Sequence, residues 1–204
     1  MLAPKSRKGT PQTAEIYLKT LTRKKLLTTN SLMEVVNDCL KGNEKAMKIF
    51  YEHFHGFALS VCMNYCENRD DALEIMNDGF LKVFKNLNKV ENIDSIKPWL
   101  RRIMINGAID HYRKNIHKQS TELNENIAEL NYGDESVYAK LSSEDIMKAV
   151  QSLPTNYRVV FNLYAIEGYS HKEIGEMLKI AESTSRANLS LANGLLRQKL
   201  KKML

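Results

Sequence analysis

Apolar residues recur at steps of three and four along most of this 204-residue chain, and valine and isoleucine never form the alternating runs of a strand. Leu32, Val35, Val36 and Cys39 make one such stripe, ended by Gly42-Asn43. Met47, Phe50, Tyr51, Phe54, Ala58, Val61, Met63 and Tyr65 make a second, and Leu73, Met76, Phe80, Val83, Phe84 and Leu87 a third. With only 4 prolines and 9 glycines to interrupt these patterns, the expected fold is all-α. No uninterrupted apolar run approaches the roughly 20 residues of a membrane span, and the N-terminus has no apolar signal segment. A cytoplasmic protein without membrane insertion is expected. Cys39, Cys62 and Cys66 are odd in number, which argues against a disulfide scaffold.

Charge divides the chain. Residues 1–30 carry 7 basic and 1 acidic side chains and read as a basic, mobile arm. Residues 31–118 carry 13 and 12, a near balance. Residues 119–142, "QSTELNENIAELNYGDESVYAKLS", are acidic and weakly periodic, as a flexible interdomain linker would be. From residue 146 to the end, 9 basic side chains face 4 acidic ones. Two small helical domains, 31–118 and 143–204, joined by an acidic linker, are the expected organisation. The basic ends point to a polyanionic partner.

Within 143–204, the helical segments "SSEDIMKAVQSL", "PTNYRVVFNLYAIEG", "YSHKEIGEMLKI" and "AESTSRANLSLANGLLRQKLKKML" are separated by turns at Pro154, Gly168 and Lys179-Ile180. The last two have the grammar of a helix-turn-helix. Ser170 and Glu173 form a capping box, Gly175 lets the second helix approach, Ile174, Met177 and Leu178 face inward, and Ile180 plugs the turn. On the second helix, Ser185, Leu189, Ala192 and Leu196 share an inner face. Ser183, Thr184, Arg186, Ala187, Ser190 and Gly194 lie on the opposite arc. A helix entering a major groove needs small residues for close approach and a few donors and acceptors for base edges and phosphates. Arg186 is placed for a base or phosphate and Arg197 for the backbone. Two packed helices with a polar exterior would show much of the same pattern.

The stretch "KPWLRRIMINGAIDHYRKN", residues 97–115, predicts another helix. On a wheel of 100° per residue, Leu100, Ile103, Met104, Ala108 and Tyr112 cover one side, widened by Trp99, Ile105 and Ile109. The polar side is a narrow stripe: Arg102, Asn106, Asp110, Arg113. Ile105 and Ile109 are expected to be partly exposed beside it. Such a stripe suits contacts to phosphates and bases; it equally suits an intramolecular row of salt bridges.

"DDALEIMNDGFLKVFKNL" followed by "WLRRIMINGAIDHYRK" resembles the two adjacent helices of the N-terminal domain of bacterial RNA polymerase sigma factors. "LPTNYRVVFNLYAIEGYSHKEIGEMLKIAESTSRANLSLANGLLRQKL" resembles their C-terminal domain. With these two domains alone, the chain is similar to the extracytoplasmic-function (ECF) subfamily. The resemblance implies a specificity subunit that binds core RNA polymerase, at the β′ clamp helices and the β flap, and directs it to promoters.

The resemblance further implies roles for individual residues. Asn106, with Arg102, Ile109, Asp110 and Arg113, would face the unpaired strand of the −10 element. The loop from Glu91 to Lys97, including Asn92, Ile93, Asp94 and Ser95, would capture a flipped −10 base. Asn77, Asp78, Phe80 and Val83 would dock on polymerase. Ser183, Thr184, Arg186, Ala187, Ser190, Leu191 and Arg197 would read the −35 duplex. The acidic linker would suit a path that mimics nucleic acid near the polymerase active site, and an anti-sigma protein would be the inhibitor. The chain departs from the family pattern in places. Leu191 and Asn193 stand where arginine is common, Lys179 replaces a turn glycine, and Ala181 stands at the usual cap, leaving Ser183 as the expected cap.

Other chemistry is set aside. His53, His55, Cys62 and Cys66 lie close in sequence, but the same segment supplies core residues, so no metal or other cofactor is expected. No phosphate-binding loop, nucleophile elbow or metalloprotease motif occurs. Asp70-Asp71 suits a helix N-terminus better than a catalytic dyad. Two other classes fit less well: a stand-alone helix-turn-helix regulator, and a recombinase or terminase-like enzyme with a DNA-binding tail. A nuclease would need clustered metal-binding carboxylates, which 31–118 does not offer.

Overall fold

The computed structural model describes residues 28–90, 92–116 and 142–203. The 119–142 linker, except for Ser142, and all but the end of the 1–30 arm lie outside the described residues. Every regular element among the described residues is helical. They are α1 (Thr29–Leu40), α2 (Glu44–Met63), α3 (Arg69–Asn86), α4 (Ile96–Ile116), α5 (Ser143–Gln151), α6 (Thr155–Phe161), α7 (His171–Leu178) and α8 (Glu182–Lys201). Short 3-10 turns at Leu87–Lys89 and Ile93–Ser95 join α3 to α4, and a π-helical turn, Asn162–Ile166, extends α6.

The helices start and stop where local chemistry demands. Thr28 caps α1 by accepting from the Ser31 N–H, and beyond its end Gly42 adopts a φ of +80°. Asn68 caps α3 through the Asp71 N–H at 2.8 Å, with Asp70 and Asp71 in the positively polarised first turn. In α4, Pro98 sits in the first turn, where its missing N–H costs no hydrogen bond. Capping boxes start α5, with Ser142 and Asp145, and α7, with Ser170 and Glu173.

The chain divides into two compact units, Met1–His53 and Phe54–Leu204, with the boundary inside α2 rather than at the linker. In the first, Val36, Cys39, Ala46 and Phe50 are buried, as the periodicity expected of Val36, Cys39 and Phe50. In the second, α3 and α4 lie along one another. A Cβ on Gly79 would come 2.5 Å from Met104 Sδ, and one on Gly107 would come 3.1 Å from Ile75 Cγ2. Both glycines are therefore what permits the close approach. Met76, Val83, Leu100 and Met104 have no exposed surface, each burial stabilising by about 1.5–3 kcal/mol.

Helices α5 and α8 share an apolar cluster of Ala149, Val150, Leu153, Ala192 and Leu196, flanked by Tyr157, Phe161, Leu195 and Leu200. Arg158 is buried beneath it at 3% exposure and donates to the Gln151 carbonyl at 2.6 Å. Lys199 closes the arrangement by donating to the Ser152 carbonyl at 3.0 Å. The second unit also holds together the helices on either side of the linker: α7 packs on α4, and hydrogen bonds tie α6, its π turn and the following Glu167 to residues 64, 65, 67, 101 and 112. The two helical domains are thus in contact, which is why the compact unit does not break at the linker.

The turn between α7 and α8 carries strain of its own. Lys179 has φ 58° and ψ 43°, the left-handed region, and its N–H bonds the Gly175 carbonyl. It is the one non-glycine residue with positive φ among the described residues. A Cβ at Gly175 would lie 2.9 Å from the Ile180 carbonyl oxygen, a backbone atom that cannot move aside alone. Gly175→Ala is expected to destabilise the protein by about 1–3 kcal/mol through overpacking. Lys179→Gly is expected to stabilise it by about 0.5–1 kcal/mol by relieving the left-handed backbone. Urea midpoints of the variants against the unaltered protein measure both.

Candidate nucleic-acid interface

The apolar side of α4 is consumed by packing, and this decides what remains for a ligand. Leu100, Met104, Ala108 and Tyr112 are buried, and so are Ile105 and Ile109, at 3% exposure each. The expected partial exposure of Ile105 and Ile109 is thus corrected, and Ile109 has no surface to offer a −10 strand. The core wraps further around the helix than the wheel implied because α4 is packed from more than one side. What is left is the narrow stripe, together with Trp99 and Ile103, which are half-buried. Arg102, Asn106 and Asp110 are exposed, and Arg113 is half-buried.

Along that stripe, Arg113 Nη1 donates to Asp110 Oδ1 at 3.3 Å. The pair orients both side chains but, partly exposed, is worth at most about 1 kcal/mol. Arg113 Nε is buried with no hydrogen-bond partner. Beside it runs a groove of about 350 Å³ whose lining includes Asp78, Asp110, Arg113, Lys114 and Lys179.

The turn before α4 is built from its own polar atoms. Asn92 Oδ1 accepts from the Asp94 N–H at 2.9 Å, and Ser95 Oγ donates to the Asn92 carbonyl at 2.6 Å. Asn92, Asp94 and Ser95 are exposed and Ile93 is half-buried, so the turn is ordered yet accessible. Glu91 lies outside the described residues.

On α3 the expected polymerase-binding set divides. Asn77 and Asp78 are exposed. Phe80 and Val83, at 2% and 0%, are core residues and present no docking surface. Helical geometry gives the reason: Phe80 and Val83 continue the buried row of Met76 at steps of four and three. Leu81, 60% exposed, follows Asn77 by four and Asp78 by three on the same outer face and did not figure among the expected residues. That spacing was available as a signal in the sequence.

In the helix-turn-helix, Ile174, Leu178 and Ala192 are buried and Ser185 has no exposed surface, as expected of the inner face. Met177, Ile180 and Leu189 are half-buried. Ser185 Oγ shares a 3.0 Å hydrogen bond with His171 Nδ1, and the His171 ring stacks on Tyr164 at 4.5 Å. This polar tie between the helices was not foreseen, because nothing in the spacing of His171 and Ser185 marks them as partners. Ser183, Thr184, Arg186, Ala187 and Ser190 are exposed together along α8, with Leu191 and Arg197 half-buried. Gly194 is buried and does not belong to the outer arc. Ala181 is the cap residue of α8 with no side-chain hydrogen bond, so the expected capping by Ser183 does not occur and its hydroxyl remains on the outer arc. Arg186 Nη2 meets Glu182 Oε1 at 2.5 Å, with side chains 64% and 45% exposed. An ion pair so open to solvent is cheaply exchanged for a phosphate or a base.

Residues 50–116 match the family described as Sigma-70 region 2, and residues 143–192 match Sigma-70 region 4. The RNA polymerase sigma factor SigV of Bacillus subtilis (strain 168) is 30% identical over 142 residues, covering 70% of this chain and 83% of SigV. The chain belongs to the RNA polymerase sigma factors. The ECF sigma factor SigW of the same organism is 24% identical over 172 residues, covering 79% of this chain and 92% of SigW. The sigma factor RpoE, solved in complex with the anti-sigma factor NepR from Bartonella quintana, superposes at a TM-score of 0.43 with 20% identity over 76% of this chain and 98% of that one. As an ECF sigma factor the protein directs RNA polymerase to promoters, and its family is one of non-catalytic initiation factors. No helix among the described residues is long and apolar enough to cross a membrane.

The helix-turn-helix of this sigma factor carries a pH signature. Glu173 accepts from the Ser170 N–H at 2.8 Å and from its hydroxyl at 2.7 Å, and these bonds hold the Glu173 carboxyl below its usual range. A lowered pKa contributes stability above the ordinary carboxylate pKa that is lost as pH falls through the lowered value. Glu173→Gln is therefore expected to be less stable than the unaltered protein at pH 7, with the difference vanishing in acid. Denaturant midpoints at both pH values read the convergence.

Proposed function

We propose that the exposed stripe of α4 holds the melted −10 strand and that the outer arc of α8 reads the −35 duplex. The observation that carries this reading is the partition within the region 2 match: Arg102, Asn106 and Asp110 stay in solvent while Leu100, Met104, Ile105, Ala108, Ile109 and Tyr112 of the same helix are buried and Trp99 and Ile103 are half-buried. Asn106 offers both donors and an acceptor to a base edge, and Arg102 and Arg113 offer cations to phosphates. The ordered turn at Asn92, Ile93, Asp94 and Ser95 sits at the start of α4 and presents polar edges to an extruded base. Ile109 acts from below, by packing that fixes the direction of the stripe.

On α8, the small side chains of Ser183, Ala187 and Ser190 allow close approach to a major groove, with Thr184 beside them. Arg186 exchanges Glu182 for a base or phosphate. Arg197 contacts the backbone further along, and Leu191 supplies apolar contact. Asn77 and Asp78, joined by Leu81, form the polymerase-facing surface of α3. Residues 31–118 and 143–204 form the two functional domains, with the acidic linker between them and the basic arm before them. The partners are core polymerase at its β′ clamp helices and β flap, promoter DNA, and an anti-sigma protein. Such a protein works in the cytoplasm, and neither a metal nor a catalytic residue enters the reading.

In vitro transcription with core polymerase tests it. Asn106→Ala is expected to keep core binding and lose open-complex formation by about tenfold or more, a loss of roughly 1–3 kcal/mol of base discrimination. Arg186→Ala is expected to weaken duplex binding at the −35 element by a similar factor. Absence of any affinity for core polymerase in the unaltered protein would sink the proposal.

A further inference from the structure

Helix α8 begins with an acid on the side proposed to face DNA. Glu182 is its first residue, and Arg186 follows one turn later. Arg186 Nη2 donates to Glu182 Oε1 at 2.5 Å, with the arginine side chain 64% and the glutamate side chain 45% exposed. The arc around them is small and uncharged: Ser183, Thr184, Ala187 and Ser190 are all exposed.

Neither helix stability nor raw affinity accounts for a glutamate there. A Glu–Arg pair four residues apart and so open to solvent contributes little to the helix. Close to a duplex, its negative charge is repelled by the phosphates and weakens the electrostatic part of binding. Once Arg186 turns to a base, the Glu182 carboxylate also loses its partner as groove water is displaced, and it needs a donor there. The major groove supplies one in the cytosine N4 and adenine N6 amino groups.

The preference of arginine decides between them. Guanine takes the guanidinium at both O6 and N7, whereas thymine offers it O4 alone, beside a methyl group. The guanine that receives Arg186 is paired with cytosine, whose N4 stands one hydrogen bond, about 2.9 Å, from guanine O6. A side-chain donor and acceptor already 2.5 Å apart match that edge, with the Arg186 nitrogen toward O6 and the Glu182 oxygen toward N4. We propose that Glu182 is a specificity-determining residue and that it reads a single G·C pair jointly with Arg186, the arginine on guanine and the carboxylate on the cytosine N4 amino group. The proposal rests on the assignment of α8 to the −35 duplex and adds the base pair that the start of the helix selects.

Selection of duplexes randomised across the −35 segment tests this, using holoenzyme assembled from core polymerase and the full chain. The unaltered protein is expected to require G·C at one position, and Glu182→Ala and Arg186→Ala each to lower that preference by about tenfold. A change in the DNA then probes the carboxylate without altering the protein. N4-methylcytosine at that position keeps the Watson–Crick hydrogen and replaces the N–H that faces the major groove. It is expected to weaken binding of the unaltered protein by about tenfold and to leave binding of Glu182→Ala unchanged. Indifference of the unaltered protein to the methyl group, or an equal loss in Glu182→Ala, overturns the proposal. If Arg186→Ala shifts the preference and Glu182→Ala does not, the −35 assignment stands and the joint reading falls. If holoenzyme forms and neither substitution shifts it, the assignment of α8 falls and the joint reading with it.

Discussion

The packing of α3 along α4 governs what this chain can present to nucleic acid. Two glycines, Gly79 and Gly107, bring the helices so close that Met104 and Ile75 occupy the space of their missing side chains. With α3 and further elements packed on α4, Leu100, Met104, Ile105, Ala108, Ile109 and Tyr112 are all inside. The polar row of Arg102, Asn106 and Asp110 is then left exposed along α4, with Trp99 and Ile103 half-buried. Its direction is fixed by apolar packing worth several kcal/mol, far more than the weak Asp110–Arg113 pair could supply. A reader of unpaired strand needs donors held in place before the strand arrives, since each group ordered on binding weakens the complex. On the proposed assignment of α4, the core does this ordering when the protein folds.

Much of this was legible because helical periodicity is a strong signal. The apolar stripes of 31–87, the glycine close approach at Gly175, the Ser170–Glu173 box and the exposed arc of α8 all follow from spacing and residue type. The errors have a common origin. A wheel ranks residues by angle but says nothing about how many neighbours surround the helix. Ile105 and Ile109 sit at the edge of the apolar arc, where a single packing partner would leave them half-exposed and a second one buries them. Phe80 and Val83 were assigned outward roles from family motif positions although their own spacing with Met76 places them inward, and Leu81 on the opposite side went unnoticed. At Ala181, a cap was inferred from a nearby hydroxyl, but Ser183 lies inside the first turn, where its side chain does not occupy the capping position.

Contacts between distant segments were beyond the reach of periodicity. Nothing local marks Glu167 as the partner of Arg101, 66 residues away, or Asn162 as the partner of the Asn64 carbonyl. Yet these residues lie at the π-helical turn that ends α6. The wider coil at Asn162–Ile166 ends immediately before Glu167, and Asn162 within it serves two acceptors, the Arg158 and Asn64 carbonyls. Such turns distort an otherwise regular ladder of hydrogen bonds and recur at functional places. Here the distortion coincides with the polar contact between domains.

The two kinds of contact in this molecule therefore divide the work by their chemistry. Within each helical domain the cohesion is apolar: Met104 against Gly79, Leu196 among Ala149, Val150 and Leu153. Apolar surfaces that part must pay the full cost of hydration, so these bodies stay intact. Between the domains run hydrogen bonds and the Arg101–Glu167 pair, and parting returns each of these groups to water that satisfies it. Were Glu167 and Arg101 replaced by well-packed leucines, the two helical domains would be expected to adhere more firmly, because no charge would have to leave water to bring them together.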